Sequence, residues 1–149
     1  MRVLLFFSLF LFLAYQDATG QDKSSAMETD ETAVKTALTE FLSAGDVRDV
    51  ARLEAVLNPQ FRVCVNQFMG QPGVTVIDRA GYLGMIGAGK LGGSPRQVAV
   101  RSVEVVGNVA FVRATLDSDT LHFESNFVLA QDALGDWTVL SDTPYTTAK

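Results

Sequence analysis

Cysteine, histidine and tryptophan each occur once in the 149 residues. Each scarcity closes off a class of chemistry. A lone cysteine, Cys64, excludes an internal disulfide framework. One cysteine and one histidine together fall short of a zinc ligand set, so no metal is expected. The histidine, His122, has no second histidine, cysteine partner or serine in a nucleophile-elbow context, which removes the triad hydrolases. Basic clusters are missing as well: Lys and Arg number 12 against 17 Asp and Glu, a net charge of -5. Such a chain lacks the electrostatic footprint for nucleic acid and is a poor partner for an anionic membrane surface. No phosphate loop, zinc motif or dinucleotide fingerprint occurs. Gly87–Gly93 is glycine-rich but lacks the spacing and the preceding strand of a phosphate loop. No cofactor is expected.

Long apolar runs are also absent, with one exception. Val3–Ala14 is interrupted only by Ser8, yet it is too short to span a bilayer comfortably. It follows a positive Met1-Arg2 and precedes the small residues Ala18-Thr19-Gly20. This reads as a signal peptide over 1–20, with cleavage leaving Gln21 as the new N-terminus; the alternative is a tilted membrane anchor. Export would make the protein secreted or periplasmic. Residues 21–29 read as a flexible polar leader and 30–149 as one domain.

What the chain does have is alternation. Val103–Leu129 repeats apolar residues at every second position, broken at Gly107-Asn108 and again at Asp117–Thr120, as strands joined by turns would be. Upstream, Val34, Leu38, Phe41 and Leu42 recur at helical spacing, predicting a helix over Asp30–Ser43. A shorter helix is predicted at Val47–Leu57, stopped by Asn58-Pro59. Phe61–Asn66 alternates as a strand and Val74–Ile77 as a short edge strand. Asp78 caps a predicted helix over Arg79–Ala88, presenting Tyr82, Met85 and Ile86 inward. Gly89–Pro95 reads as the most mobile loop. The phase of the valines changes near Ser102, predicting a bulge. Strands are then expected near Val109–Leu116, Leu121–Ala130 and Asp136–Thr143. Helices followed by a run of strands give an α+β fold.

Strand parity divides the candidate site residues. Pairing Leu116 with Leu121 would place Arg113 opposite Glu124, Phe111 opposite Asn126 and Thr115 opposite His122, on one face with Val128. The other face, with Ala110, Val112, Leu116, Phe123, Ser125, Phe127 and Leu129, is far more apolar and should meet the helices. His122 beside Glu124 and Asp119 is a candidate general base, but its parity points it away from the helices. Pocket candidates therefore come from the apolar side and the open end of the sheet: Tyr82, Ser125, Trp137 and Tyr145 as ligand contacts, with Asp142 as a candidate acid or base. Each also has an ordinary reading as packing or solvated surface. Asp142 gains meaning only where burial raises its pKa.

Several phrases carry a resemblance. A-V-K-T-A-L-T-E-F-L-S-A-G-D at Ala33–Asp46, L-N-P-Q-F at Leu57–Phe61, V-E-V-V-G-N-V-A-F-V at Val103–Val112 and F-V-L-A-Q-D-A-L-G-D-W-T-V at Phe127–Val139 resemble the nuclear-transport-factor-2-like superfamily. Within it, the chain is most similar to small bacterial proteins labelled "putative lumazine-binding". The order of elements already reads as one curved sheet wrapped over three helices. The resemblance implies a cone-like fold, and together they give three N-terminal helices packed on a curved antiparallel or mixed sheet. The resemblance also implies a homodimer through the outer sheet face, which here carries Phe111, Arg113, His122, Glu124 and Val128. The superfamily holds ketosteroid-isomerase-like and scytalone-dehydratase-like enzymes, polyketide cyclases and noncatalytic binders.

Two functions are thus expected from different classes. The first is an exported, noncatalytic module that binds a small, mostly apolar molecule or serves as an interaction scaffold. The second is an isomerase, dehydratase or cyclase in which Asp142 or His122 moves a proton and Tyr82 or Tyr145 stabilises the oxyanion.

Overall fold

The computed structural model describes the backbone of residues 18–149 and the side chains from residue 28 onward. The apolar run Val3–Ala14 and most of the expected signal peptide lie outside the described residues. The elements are α1 (Ala18–Asp46), α2 (Val50–Val56), β1 (Leu57–Asn66), β2 (Val74–Asp78), α3 (Arg79–Gly87), β3 (Gln97–Val106), β4 (Val109–Asp117), β5 (Leu121–Gln131) and β6 (Trp137–Ala148). α1 is longer than its apolar pattern indicates and runs back through residues 21–29, where a flexible leader was expected.

The strands form one six-stranded sheet in the order β2-β1-β6-β5-β4-β3. All neighbours are antiparallel except β1 and β6, which run parallel. An α+β fold with helices on a mixed sheet stands; two parts of the expectation do not. Only α1 and α2 are N-terminal, because the β1–β2 hairpin intervenes before α3. The sheet is also not strongly curled, so the fold is not the expected curved cone. β2 and β3 remain at opposite edges, and the ladders are interrupted by local register shifts. One bulge leaves Arg101 unpaired, at the phase change expected near Ser102. Another leaves Leu140 unpaired in β6. Between Leu57 and Arg62 the β1–β6 register is also interrupted; Pro59 lies in that gap and has no N–H to donate.

The face assignment survives, with a shift of two residues in register. Leu116 pairs with Phe123 and Asp117 with His122, a change that preserves parity. The Arg113–Glu124 ion pair forms, at 3.2 Å, but diagonally across the ladder. On the helix side, Val34, Leu38, Phe41 and Leu42 of α1 pack with Leu53 of α2, Ile86 of α3 and Ala110, Val112, Phe127, Leu129 and Val139 of the sheet. Fully burying each large apolar side chain contributes about 1.5–3 kcal/mol.

The connection after α3 is held down rather than loose. Arg48 donates hydrogen bonds from its guanidinium to the carbonyls of Gly89 (3.1 Å), Leu91 (2.9 Å) and Gly92 (2.9 Å). Gly93 N–H donates to Gly45 O at 3.2 Å. Arg48 itself adopts φ +57, unusual outside glycine. Glycine content alone suggested mobility because it reports backbone freedom; the restraint comes from a side chain some forty residues away.

Candidate functional site

On the helix side of the sheet, register places three cross-strand rows side by side. The first is Val98–Leu116–Phe123–Thr146, the second Val100–Ala114–Ser125–Pro144, the third Val103–Val112–Phe127–Asp142. The middle row has small side chains at Ala114 and Ser125 between the phenylalanines of its neighbours. Its β3 end is open: Val98 and Val100 remain 44% and 39% exposed although they face the helix side. Inward of that exposed edge the row is covered, with Ala114 0% and Ser125 1% exposed, and Asp142 lies in the neighbouring row.

The inner end is polar. Ser125 is 1% exposed, and its hydroxyl has no hydrogen-bond partner. Asp142 Oδ1 is likewise buried without one. Burial pushes the Asp142 carboxyl up to about 7, while the Ser125 hydroxyl and the Arg96 charge act in the opposite direction. The serine thus influences the carboxyl without a well-formed hydrogen bond to it. Above the pair lies a ring cluster, with Phe41 5.7 Å from Phe61 and 6.2 Å from Phe127 between centroids, and Tyr82 5.2 Å from Phe61. Burial raises the Tyr82 phenol above its ordinary value, and the Asp142 charge pushes the same way.

Arg96 closes the group from the loop before β3. Its Nε donates to Asp46 Oδ1 at 2.6 Å, its backbone N–H to Asp46 Oδ2 at 3.1 Å, and its Nη2 to Leu42 O at 3.1 Å. The guanidinium carbon lies 6.0 Å from the Phe123 ring centroid, within reach of a cation–π contact. A Cβ on Gly45 would lie 3.6 Å from both Arg96 Nη2 and the Tyr82 hydroxyl, which locates the two groups near one another. The side chains of the pair are only 18% and 14% exposed. Arg96→Ala or Asp46→Ala should therefore destabilise the fold by on the order of 2–4 kcal/mol, since each strands a largely buried charge. Urea denaturation of both single variants and the double variant checks this. A double variant no more stable than the sum of the singles would contradict the coupling.

The structure gathers three of the six expected site residues: Asp142, Ser125 and Tyr82. It separates the others. Tyr145 pairs with Glu124 on the opposite sheet face and is 67% exposed, which removes it from the pocket. Alternation is the cause, because Asp142 and Tyr145 are separated by an odd number of residues. Trp137 is buried on the helix side but pairs with Gln131 at the far end of β6, its indole N–H unpartnered. His122 lies on the outer face as its parity required, with Nδ1 3.0 Å from Asp117 Oδ1 and Nε2 3.8 Å from Glu124 Oε1. Lys149 and then His122 hold the Asp117 carboxyl below its usual range. Sequence reading missed Asp46 and Arg96. Asp46 looked like a helix terminus and Arg96 like loop, and they lie 50 positions apart. Among the described residues no group of His, Cys, Asp and Glu is arranged to hold a metal ion. A cleft of about 470 Å³ at the sheet end is lined by residues that include Asp117, Asp119, Lys149 and Arg96, which it shares with the interior group.

This order of helices and strands is the fold of solved NTF2-like proteins. Residues 29–143 match the family described as "Putative lumazine-binding", and the chain belongs to that family. Among solved structures, it is similar to an NTF2-like protein of unknown function from Shewanella baltica OS155, at 20% identity and TM-score 0.70, covering 82% of this chain and 97% of that one. A second NTF2-like protein of unknown function, from Silicibacter pomeroyi DSS-3, is 16% identical with TM-score 0.66, covering 85% and 98%. A ketosteroid isomerase-like protein from Erwinia carotovora atroseptica SCRI1043 is 15% identical with TM-score 0.63, covering 80% and 95%. At these identities the likeness establishes the fold alone. No curated protein matches. No helix among the described residues is long and apolar enough to cross a membrane.

Proposed function

We propose that this protein is an exported, noncatalytic module that binds a small, mostly apolar molecule on the helix side of its sheet. The observation that carries this reading is the small-residue row that leads from the exposed Val100 to the unpartnered Ser125 hydroxyl and Asp142 carboxyl. Apolar surroundings with a few convergent polar groups are the usual build of a small-molecule site. Buried polar atoms without partners are uncommon and call for an occupant. Binding of the neutral fluorescent probe N-phenyl-1-naphthylamine tests it. Val100→Lys, at an exposed position, should weaken that binding at least tenfold while the protein stays folded. Unchanged affinity would sink the reading.

A second reading has its own support. A carboxyl raised to about 7 beside a tyrosine suits an isomerase, dehydratase or cyclase acting on a small apolar carbonyl compound. Asp142 would take the proton and Tyr82 would stabilise the oxyanion; His122, on the outer face, takes no part. Deuterium exchange at the α-carbon of an enolisable cyclic ketone in D2O, followed by proton NMR, decides the point. Exchange that disappears in Asp142→Asn supports the enzyme, and no exchange above buffer rules it out.

The outer face is proposed to seat a second copy. Phe111, 48% exposed, lies there with Tyr145, Val128, His122 and the Arg113–Glu124 pair. An exposed aromatic amid paired charges suits the centre of a self-complementary contact. Sedimentation velocity should show a dimer that Phe111→Glu converts to monomer. A wild-type monomer at tens of micromolar would end the proposal.

A further inference from the structure

We infer that the interior site selects ligands with a neutral hydrogen-bonding head and rejects those whose head is an anion. The inference rests on the binding reading above and sharpens it to a ligand class.

An anionic head needs a cation or several aimed N–H donors where it arrives. Among the described residues the guanidinium close to the site is that of Arg96, which already serves Asp46 through Nε and Leu42 O through Nη2. Its positive charge is therefore opposed at 2.6 Å before any ligand enters. The other groups facing the inner end offer no substitute. Asp46 on α1 and Asp142 on β6 are carboxyls; Tyr82 on α3 and Ser125 on β5 are hydroxyls. A carboxylate ligand would meet two acids, two neutral hydroxyls and an arginine whose charge Asp46 already opposes.

A neutral head fits the same groups. Ser125 Oγ and Asp142 Oδ1 both lack partners and lie on adjacent strands, diagonal to one another in the ladder, because Ser125 pairs with Pro144 and Asp142 with Phe127. A hydroxyl donates and accepts, and a carboxyl accepts when ionised and also donates when protonated. Together they can meet a head that carries one donor and one acceptor side by side, as a primary carboxamide does. Leaving buried polar groups unpaired is costly, so a ligand with no polar head forfeits this part of the affinity.

Three probes of nearly the same shape separate the possibilities: 2-naphthamide, 2-naphthoate and naphthalene, titrated by ligand-observed NMR at pH 8. The amide should bind at least tenfold more tightly than the carboxylate, and more tightly than naphthalene. Asp142→Leu should erase the preference for the amide while naphthalene still binds. If the variant fails to fold, Ser125→Ala gives the same comparison, with the preference reduced severalfold. Naphthoate binding as well as naphthamide overturns the inference and leaves the binding proposal intact. Failure of all three probes to bind removes both.

Discussion

Replacing Gly92 with alanine should cost on the order of 2–5 kcal/mol, a large share of the stability of a marginal domain. Two effects add. Gly92 sits at φ +66, in a region that costs a residue with a Cβ about 1–2 kcal/mol. The new Cβ would also lie 2.2 Å from Gly45 O, a backbone atom that cannot rotate away. Relieving such an overlap by moving the chain typically costs a further 1–3 kcal/mol or so. Moving the loop would in turn break the carbonyl contacts from Arg48. Gly107 is the internal control. It has a similar φ of +61, but nothing lies within 4 Å of its would-be Cβ. Gly107→Ala should therefore show the conformational cost alone, near 1 kcal/mol. Thermal unfolding of the two variants side by side measures the difference. Equal losses would mean that the close approach at Gly45 contributes nothing.

The pH dependence of stability should carry the signature of Asp142. Its folded pKa of about 7 lies above the ordinary 3.8. Between those values the folded protein binds a proton that the unfolded chain has released, so stability falls as pH rises through that window. Three units at about 1.4 kcal/mol each give a loss on the order of 4 kcal/mol from pH 4 to pH 8. Asp117 and Glu40 act in the opposite sense and elsewhere. Their folded values are depressed, by Lys149 and by Arg52 respectively as the leading causes. Their contributions are present above the ordinary carboxylate range and vanish as pH falls through the folded values. Stability should therefore peak in the mildly acidic range. Asp142→Asn keeps the shape and removes the titration, so its urea midpoint should stay nearly level from pH 5 to 8 while that of the wild type declines. A wild-type curve equally level over that range would show that the carboxyl is not held neutral by burial.

These two expectations draw on different amounts of sequence information. Asp142 could be named from the chain as the acid whose meaning depended on burial. Nothing in the glycine pattern of Gly84–Gly93 distinguished Gly92 from its neighbours. Its importance comes from Gly45 O, which α1 brings to it from 47 positions away. The same holds for the loop as a whole. Local composition reports freedom, and only the Arg48 guanidinium removes it.

The strands were legible for a local reason. A period of two sorts side chains onto faces whatever the partner strand does, so His122 and Ser125 were assigned to opposite sides correctly even with the register two residues out. The same rule, carried past Asp142, would have placed Tyr145 outside. Tyr145 was put in the pocket because its ring chemistry suited one. The helix count was readable too, but the order of elements suggested three N-terminal helices under a curved sheet, and the resemblance a cone, where the chain forms two helices, a hairpin and a third helix over a sheet that is not strongly curled. How far a sheet curls depends on where bulges fall and whether its edges meet, and neither is a property of one strand's sequence.

By itself, then, the sequence determined the class α+β, the superfamily resemblance, the faces of the strands and the absence of metal, triad and nucleotide motifs. Those are consequences of composition and short-range periodicity. Tertiary structure alone decided that Asp46, Tyr82, Arg96, Ser125 and Asp142 belong to one group. They come from the end of α1, from α3, from the loop before β3 and from two neighbouring strands. Their meeting depends on strand order and register, which pair residues far apart in the chain. The unpartnered Ser125 and Asp142 atoms owe their character to that meeting, because burial is a property of what surrounds a side chain.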